Sequence, residues 1–251
     1  MIKAIMHGCN GQMGQTISNL LAADETMRIV AGIDAFDKGK NDYPVFSRLA
    51  DCDVPADVII DFSIAHAMDA LLDHCIARQI PCVLCTTGLS ETQLARLKKA
   101  AENVAILKSA NMSLGVNLLL KTLKEAANVL APAGFDIEIV EKHHNRKVDA
   151  PSGTALALGD SINEALNHEY HYVYDRSQTR ARRAEKEIGF SAVRGGTIVG
   201  EHDIIFAGTD ETVTFSHVAY SRAIFAKGAI EAAKFLPGRP AGLYTMADVI
   251  A

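Results

Sequence analysis

Ile2-Lys-Ala-Ile-Met-His7-Gly8-Cys9-Asn10-Gly11-Gln12-Met13-Gly14 opens the chain with a short apolar strand pattern, then glycines at every third position, then a helical stretch. Glycine lets the backbone turn tightly and come close to a pyrophosphate. The helix that follows offers unpaired N–H groups and the positive end of its dipole. The spacing is G-x-x-G-x-x-G rather than the commoner G-x-G-x-x-G, so its weight comes from context: strand before, helix after, at the start of an α/β pattern. An ordinary βα turn with glycines for close packing is the alternative.

Outward from this loop the first half alternates. Residues 2–7, 28–34, 57–62, 82–86 and 104–109 are short, apolar on both faces and often β-branched, as strands buried on both sides are. Residues 12–23, 64–78 and 90–101 carry helical spacing, and Ser90 with Gln93 forms a helix-start signal. Alternating strands and helices predict a Rossmann-like parallel sheet covered on both faces. Asp34 closes the second strand, about 20 residues beyond Gly14, where a carboxylate can accept both hydroxyls of an adenosine ribose. It suits a bare 2′-hydroxyl and repels a 2′-phosphate; Lys38 and Lys40 soften that repulsion, so the cofactor expectation leans to NADH without excluding NADPH. Cys85-Thr86-Thr87-Gly88 and Ser109-Ala110-Asn111-Met112 follow later strands at the same edge, and their small polar residues suit a nicotinamide ribose and amide.

Composition sets the class. The 251 residues carry 25 Lys and Arg against 30 Asp and Glu, a net charge of −5, which argues against a nucleic-acid or anionic-membrane partner. No apolar run approaches a membrane span, and the opening residues lack a signal-peptide core. Five cysteines, an odd number in apolar surroundings, suggest a reduced, cytoplasmic protein.

After residue 114 the pattern changes. A long helix, Leu114–Leu130, is followed by a Pro-Gly loop, an alternating strand at 135–142 with one wet face, and a helix near Ser152. Residues 190–199, 203–207 and 212–220 read as consecutive strands of an antiparallel meander, and a last helix spans 222–235. The expected organisation is a dinucleotide-binding domain over 1–112, with 222–251 returning to it, and an α+β domain with a mixed or antiparallel sheet over 113–221, for substrate and oligomerisation.

The segment richest in chemistry is Glu141-Lys-His143-His144-Asn-Arg-Lys147-Val-Asp-Ala-Pro151-Ser152-Gly153-Thr154-Ala155. Pro-Ser-Gly-Thr has the form of a helix N-terminus, whose N–H groups can receive a carboxylate. Lys147 offers a positive charge or a proton, and the two imidazoles can donate or accept near neutral pH. Neighbouring histidines of a regular strand face opposite ways, so both line one pocket only if the strand ends there.

These stretches, together with Gly189-Phe190 through His202 and the ending Gly242 through Val249, resemble the 4-hydroxy-tetrahydrodipicolinate reductase (dihydrodipicolinate reductase) family along the whole chain. The resemblance implies NADH- and/or NADPH-dependent reduction of a cyclic dicarboxylate in the diaminopimelate route to lysine, by a homotetramer formed through the second domain. It implies His143 as proton donor and acceptor, Lys147 as proton donor, His144 as a substrate contact, and Gly153 and Thr154 as holders of a carboxylate. It further implies that Gly8, Cys9, Asn10, Gly11, Gln12, Met13, Asp34, Cys85, Thr86, Thr87, Ser109, Ala110, Asn111 and Met112 bind the dinucleotide. Asn145-Arg146 fills a place where family members vary. The rivals are another two-domain Rossmann reductase of a small imino or keto acid, and a catalytically silent dinucleotide sensor. The His143–Thr154 string argues against the first and the His143-Lys147 pair against the second.

Other signals point elsewhere than to function. Cys82-Val-Leu-Cys85 lies in a buried strand, where i and i+3 face apart, so it reads as apolar packing rather than a redox or metal pair. His168 and His171 lack further ligands and read as a solvated loop. The basic stretch 176–186, interleaved with Glu185, reads as a solvated linker. His202 and His217 read as structural.

Overall fold

The computed structural model describes all 251 residues, Met1–Ala251. In chain order the elements are β1 (Ile2–His7), α1 (Gln12–Leu21), β2 (Met27–Ile33), β3 (Val45–Phe46), β4 (Val58–Asp61), α2 (Met68–Arg78), β5 (Cys82–Leu84), α3 (Glu91–Ala101), β6 (Ala105–Lys108), α4 (Leu114–Leu130), β7 (Asp136–His143), α5 (Gly153–Ala165), β8 (His171–Val173), β9 (Glu187–Arg194), β10 (Gly200–Ala207), β11 (Thr212–Ala219), α6 (Ala223–Phe235), β12 (Gly242–Tyr244) and α7 (Met246–Val249). No helix is long and apolar enough to cross a membrane. The chain divides into two compact units, Met1–Leu114 with Ala223–Ala251, and Gly115–Arg222.

The first unit is a seven-stranded parallel sheet of order β12-β6-β5-β4-β1-β2-β3. The middles of its central strands are apolar because both faces are covered, and the charged residues Lys3, Arg28, Asp61 and Lys108 lie toward strand ends. One face packs Met6, Val58 and Ile60 against Ile17 of α1 and Ala229 and Ala233 of α6. The other packs Ile5, Ile59 and Leu84 against Leu71 and Leu72 of α2 and Leu97 of α3. The strands at 82–86 and 104–109 stop earlier than expected, at Leu84 and Lys108, and Asp34 stands just past β2. Their polar residues therefore belong to the loops at the carboxyl edge. Residues 65–67 form a single tight turn before α2. The two short edge strands β3 and β12 carry too few residues to show a period.

The second unit is a five-stranded mixed sheet, β11-β10-β7-β9-β8. One face is dry: Ile137, Ile139, Ile188, Phe190, Ile204 and Phe206 pack on Leu123 and Ala127 of α4 and Leu158 and Ile162 of α5. The expected meander is corrected here. β10 and β11 form an antiparallel hairpin, but β9 lies beyond β7, parallel to it. β9 ends at Arg194, and Gly200-Glu201 begins β10 rather than turning. The basic stretch is also no solvated linker. Arg176 bridges Glu187 (2.5 Å) and Glu138 (2.6 Å), and Arg183 reaches Asp136 (2.8 Å) and Glu138 (3.1 Å), tying it to the sheet. His171 likewise opens β8 instead of lying in a loop.

Candidate active site

At the carboxyl edge of the first sheet the chain leaves β1 through Gly8, in the left-handed region at φ +82°. A Cβ at Gly8 would stand 2.6 Å from Phe62 O, and one at Gly14 only 2.3 Å from Gly8 O. Loop and helix thus pack backbone on backbone, bringing the start of α1 under the turn. Asn10 N–H donates to Asp34 Oδ2 (2.9 Å), Asn10 Nδ2 to Phe36 O (2.5 Å), and Gln15 Nε2 to Cys9 O (2.9 Å). Gly8, Gly11, Asp34, Phe62 and Ser63 line a cavity of about 380 Å³. Gln12 is exposed and Met13 half-buried in the first turn of α1. The Cys9 side chain is fully buried behind Gly32, and burial, then the Asp34 charge, pushes its thiol up to about 11. Only its backbone belongs to the loop surface.

Asp61, at the end of β4, organises the neighbouring strand ends. It is fully buried; Thr86 Oγ1 donates to its Oδ2 and Ser63 Oγ to its Oδ1, both at 2.6 Å, with His7 Nδ1 2.9 Å away. Burial would raise its pKa, but the contacts from His7, Ser63 and Thr86 outweigh burial and hold it below the carboxylate range. The Thr86 hydroxyl is thereby committed to Asp61, leaving its carbonyl to accept from Lys108 Nζ (2.9 Å). The Cys85 thiol is pushed up by burial, then by Asp61. Thr87 and Ala110 are exposed, Ser109 and Asn111 half-buried, and Met112 lies in the core. Asn111 Oδ1 accepts the Ser113 N–H at 2.8 Å. Cys82 faces Cys75 of α2, and that contact first, then burial, drives its thiol well above the usual value. No three His, Cys, Asp or Glu side chains are grouped to hold a metal ion.

The second unit gathers the other candidates where β7 ends. His143 is its last residue and is buried; His144 begins the loop and is half-buried, so the strand ends between the two histidines. Desolvation, then the Arg146 and Arg222 charges, lowers the His144 pKa. Lys147 Nζ meets both oxygens of Asp149 at 2.8 Å. Lys147 first, with the Gly153 N–H also contributing, keeps that carboxyl below its ordinary range. Ser152 caps α5, its Oγ accepting the Ala155 N–H at 3.1 Å, so Gly153 and Thr154 form the first turn. Lys147 and the start of α5 therefore already hold one carboxylate, that of Asp149.

Sequence reading assigned no role to several residues that build this site. Glu141 is fully buried between His143 Nδ1 (2.6 Å) and the Arg194 guanidinium. His202 Nε2 lies 2.9 Å from Ser152 Oγ, and its ring meets His143 edge-on at 5.2 Å. Burial, then His143, lowers the His202 pKa to about 4, keeping it neutral. A signal for Glu141 was present: it shares strand parity with Ile137, Ile139 and His143, the buried face of β7. Arg194 and His202 come from other strands, and only the pairing of β7 with β9 and β10 brings them in.

Residues 2–112 match the family described as "Dihydrodipicolinate reductase, N-terminus" and residues 115–250 its C-terminus. The chain is 51% identical over 254 residues to the 4-hydroxy-tetrahydrodipicolinate reductase of Caldanaerobacter subterraneus subsp. tengcongensis, covering 100% of this chain and 98% of that one. It is 46% identical over 251 residues to that of Clostridium novyi, at the same coverage. Among solved structures, a dipicolinate-bound dihydrodipicolinate reductase from Paenisporosarcina sp. TG-14 superposes with a TM-score of 0.82 at 26% identity, covering 98% and 97% of the two chains. With both of its parts matched in order along almost the whole chain, the protein belongs to the dihydrodipicolinate reductase family.

Proposed function

We propose that the protein catalyses the NADH- and/or NADPH-dependent reduction of 4-hydroxy-tetrahydrodipicolinate to tetrahydrodipicolinate, in the diaminopimelate route to lysine. The observation that carries this reading is the end of β7: one imidazole, one ammonium and a helix N-terminus that already holds a carboxylate. The net reaction takes up one hydride and one proton and releases one water.

The glycine loop fits a dinucleotide, since backbone packing too close for a Cβ at Gly8 or Gly14 sets the start of α1 beneath the turn, and Gly8, Gly11 and Asp34 line the cavity beside it. Gly8–Met13 would receive the pyrophosphate, Asp34 the adenosine ribose, and residues 85–87 and 109–112 the nicotinamide end. When bound, the nicotinamide supplies the hydride. Asp34 favours NADH, and Lys38 and Lys40 leave room for NADPH. In the second unit, Gly153 and Thr154 would hold one substrate carboxylate at the start of α5, where N–H groups and the dipole favour an anion. Lys147 would release a proton and steady the charge that shifts as the ring is reduced, His143 would carry the proton, and His144 would contact the substrate.

Pyridine-2,6-dicarboxylate keeps the carboxylate spacing of the reactive ring without a readily reducible imine, and the Paenisporosarcina relative was solved with it bound. It is expected to inhibit competitively against substrate and not against dinucleotide. Pyridine-2-carboxylate should bind more weakly, forgoing a charge-assisted anchor worth ~1.5–3 kcal/mol. Equal inhibition by the mono- and di-acid would contradict the dicarboxylate site.

The same reading includes a cytoplasmic homotetramer. All five cysteines are free thiols. The open face and edge of the second sheet expose Val193, Val218 and Tyr220, apolar groups that a self-complementary interface would cover. Light scattering at micromolar concentration should give four copies; monomer alone would contradict it.

A further inference from the structure

Glu141 takes no part in the steps above, yet every direction in which it can accept is used. Its Oε1 accepts from Arg194 Nη2 (2.6 Å) and from the Ser152 backbone N–H (3.0 Å). Its Oε2 accepts from Arg194 Nη1 (2.7 Å) and meets His143 Nδ1 at 2.6 Å. Burial opposes ionisation of this fully enclosed group, but the bonds from Arg194 and then His143 outweigh it and hold the carboxyl below its ordinary range. An ionised carboxylate only accepts. His143 Nδ1 must then carry a hydrogen whether the ring is neutral or protonated, and Nε2 is left as the one position that gains or loses a proton.

We propose that Glu141 is the positioning residue for His143, fixing Nδ1 as a permanent donor and reserving Nε2 for proton transfer, while Arg194 locks Glu141 in that orientation. The proposal rests on the reading of His143 as the proton carrier. A lone buried carboxylate would stabilise the imidazolium and make it reluctant to release its proton. The bidentate guanidinium shares the carboxylate's charge, so orientation is kept without holding the proton too tightly. The other groups around the ring fit this division. His202 of β10, edge-on to His143, is neutral, so it does not repel the imidazolium. His217 of β11 lies beyond His202, and burial lowers its pKa too. Lys147 in the loop is paired with Asp149, and the His144 pKa is lowered. Gly200 faces Nε2: a Cβ there would come within 3.1 Å of it, so this position keeps bulk away from the nitrogen that moves the proton.

The amide variant gives the sharpest contrast. In Glu141→Gln the orientation that keeps oxygen on Arg194 Nη2 and Ser152 turns the amide NH₂ to Nδ1. That nitrogen must then be a bare acceptor, which moves the ring proton to Nε2. Nitrogen-15 spectra of labelled histidines above neutral pH, with His143 assigned by its absence in His143→Asn, should show Nδ1 protonated in the unaltered chain and Nε2 protonated in Glu141→Gln. The same amide exchange behind another catalytic histidine lowers turnover by orders of magnitude through the wrong tautomer. Here kcat should fall ~10²-fold or more with both KM values little changed, and the alkaline limb of the pH–rate profile should move to lower pH. A proton on Nε2 in the unaltered chain overturns the proposal, and so does near-normal kcat in a folded Glu141→Gln chain. The spectrum of the unaltered chain, once assigned with His143→Asn, requires neither the Glu141 variant nor turnover, so it decides the proposal even if Glu141→Gln does not fold or the substrate is misassigned. Normal turnover with Nε2 protonated would leave the reductase reading standing and remove Glu141 from it.

Discussion

Lys147→Ala should lower kcat by ~10²-fold or more, as removal of a general acid does, while the affinity for dinucleotide stays nearly unchanged. The side chain is a third or less exposed and grips both oxygens of Asp149, so its ammonium is held in one place rather than sweeping through solvent. The carboxylate left behind is about half exposed, and water can satisfy it, so little stability is at stake. The glycine loop belongs to the first compact unit and Lys147 to the second, which is why dinucleotide binding should be spared. Lys147→Arg separates charge from proton donation: guanidinium keeps the charge but does not deprotonate. It should preserve substrate KM better than kcat. Steady-state kinetics with dinucleotide titration checks both variants, and a near-normal rate in Lys147→Ala would remove this residue from the chemistry.

Gly14→Ala is the other large effect, and it acts on binding. The added Cβ would meet Gly8 O at 2.3 Å and the Cys9 Cα and carbonyl oxygen at 2.7 Å, all backbone atoms with no side-chain freedom to yield. Either α1 moves away from the turn or the turn opens, and both take the first N–H groups of α1 out of their place beneath the loop. Overpacking of this kind costs about 1–3 kcal/mol, and dinucleotide affinity should fall by ~10²-fold, the upper end of that range. Equilibrium titration and thermal unfolding measure the two consequences. An unchanged dissociation constant would mean that the pyrophosphate does not use this loop.

What the sequence displayed best was local. The strand-loop-helix at residues 2–21 depends on neighbours within one turn, as do the Ser90 capping box and the Ser152 cap, so each can be read from a short window. The place of β9 could not be read that way. Residues 190–199 read as a strand that turns back onto the next, but the edge of β10 is already paired to β7, and β9, at Glu187–Arg194, finds its partner on β7's far side. That choice is made by the dry face, where Phe190 packs with Ile137, Ile139 and α5, and no turn signal reports it. The active-site string was legible as a list of chemical groups, while its support was not. Arg194 reaches Glu141 across 53 residues and His202 reaches Ser152 across 50. Among the cofactor-loop candidates, Cys9 and Thr86 occupy the expected loops, but their side chains turn inward to the core and to Asp61. Position along a loop indicates where a backbone lies; burial decides which side chains remain available.

The proposed function is a single reaction, and turnover measures it. Pyruvate and aspartate semialdehyde, condensed by a coupling enzyme, generate the cyclic hydroxy-dicarboxylate in place, and the near-ultraviolet absorbance of the reduced nicotinamide follows its consumption. With this protein added, the absorbance should fall at a rate proportional to its concentration, at least as efficiently with NADH as with NADPH, and pyridine-2,6-dicarboxylate should slow it. Absence of any protein-dependent oxidation of either cofactor, with the coupling enzyme shown to be active, would mean that the protein does not catalyse this reduction.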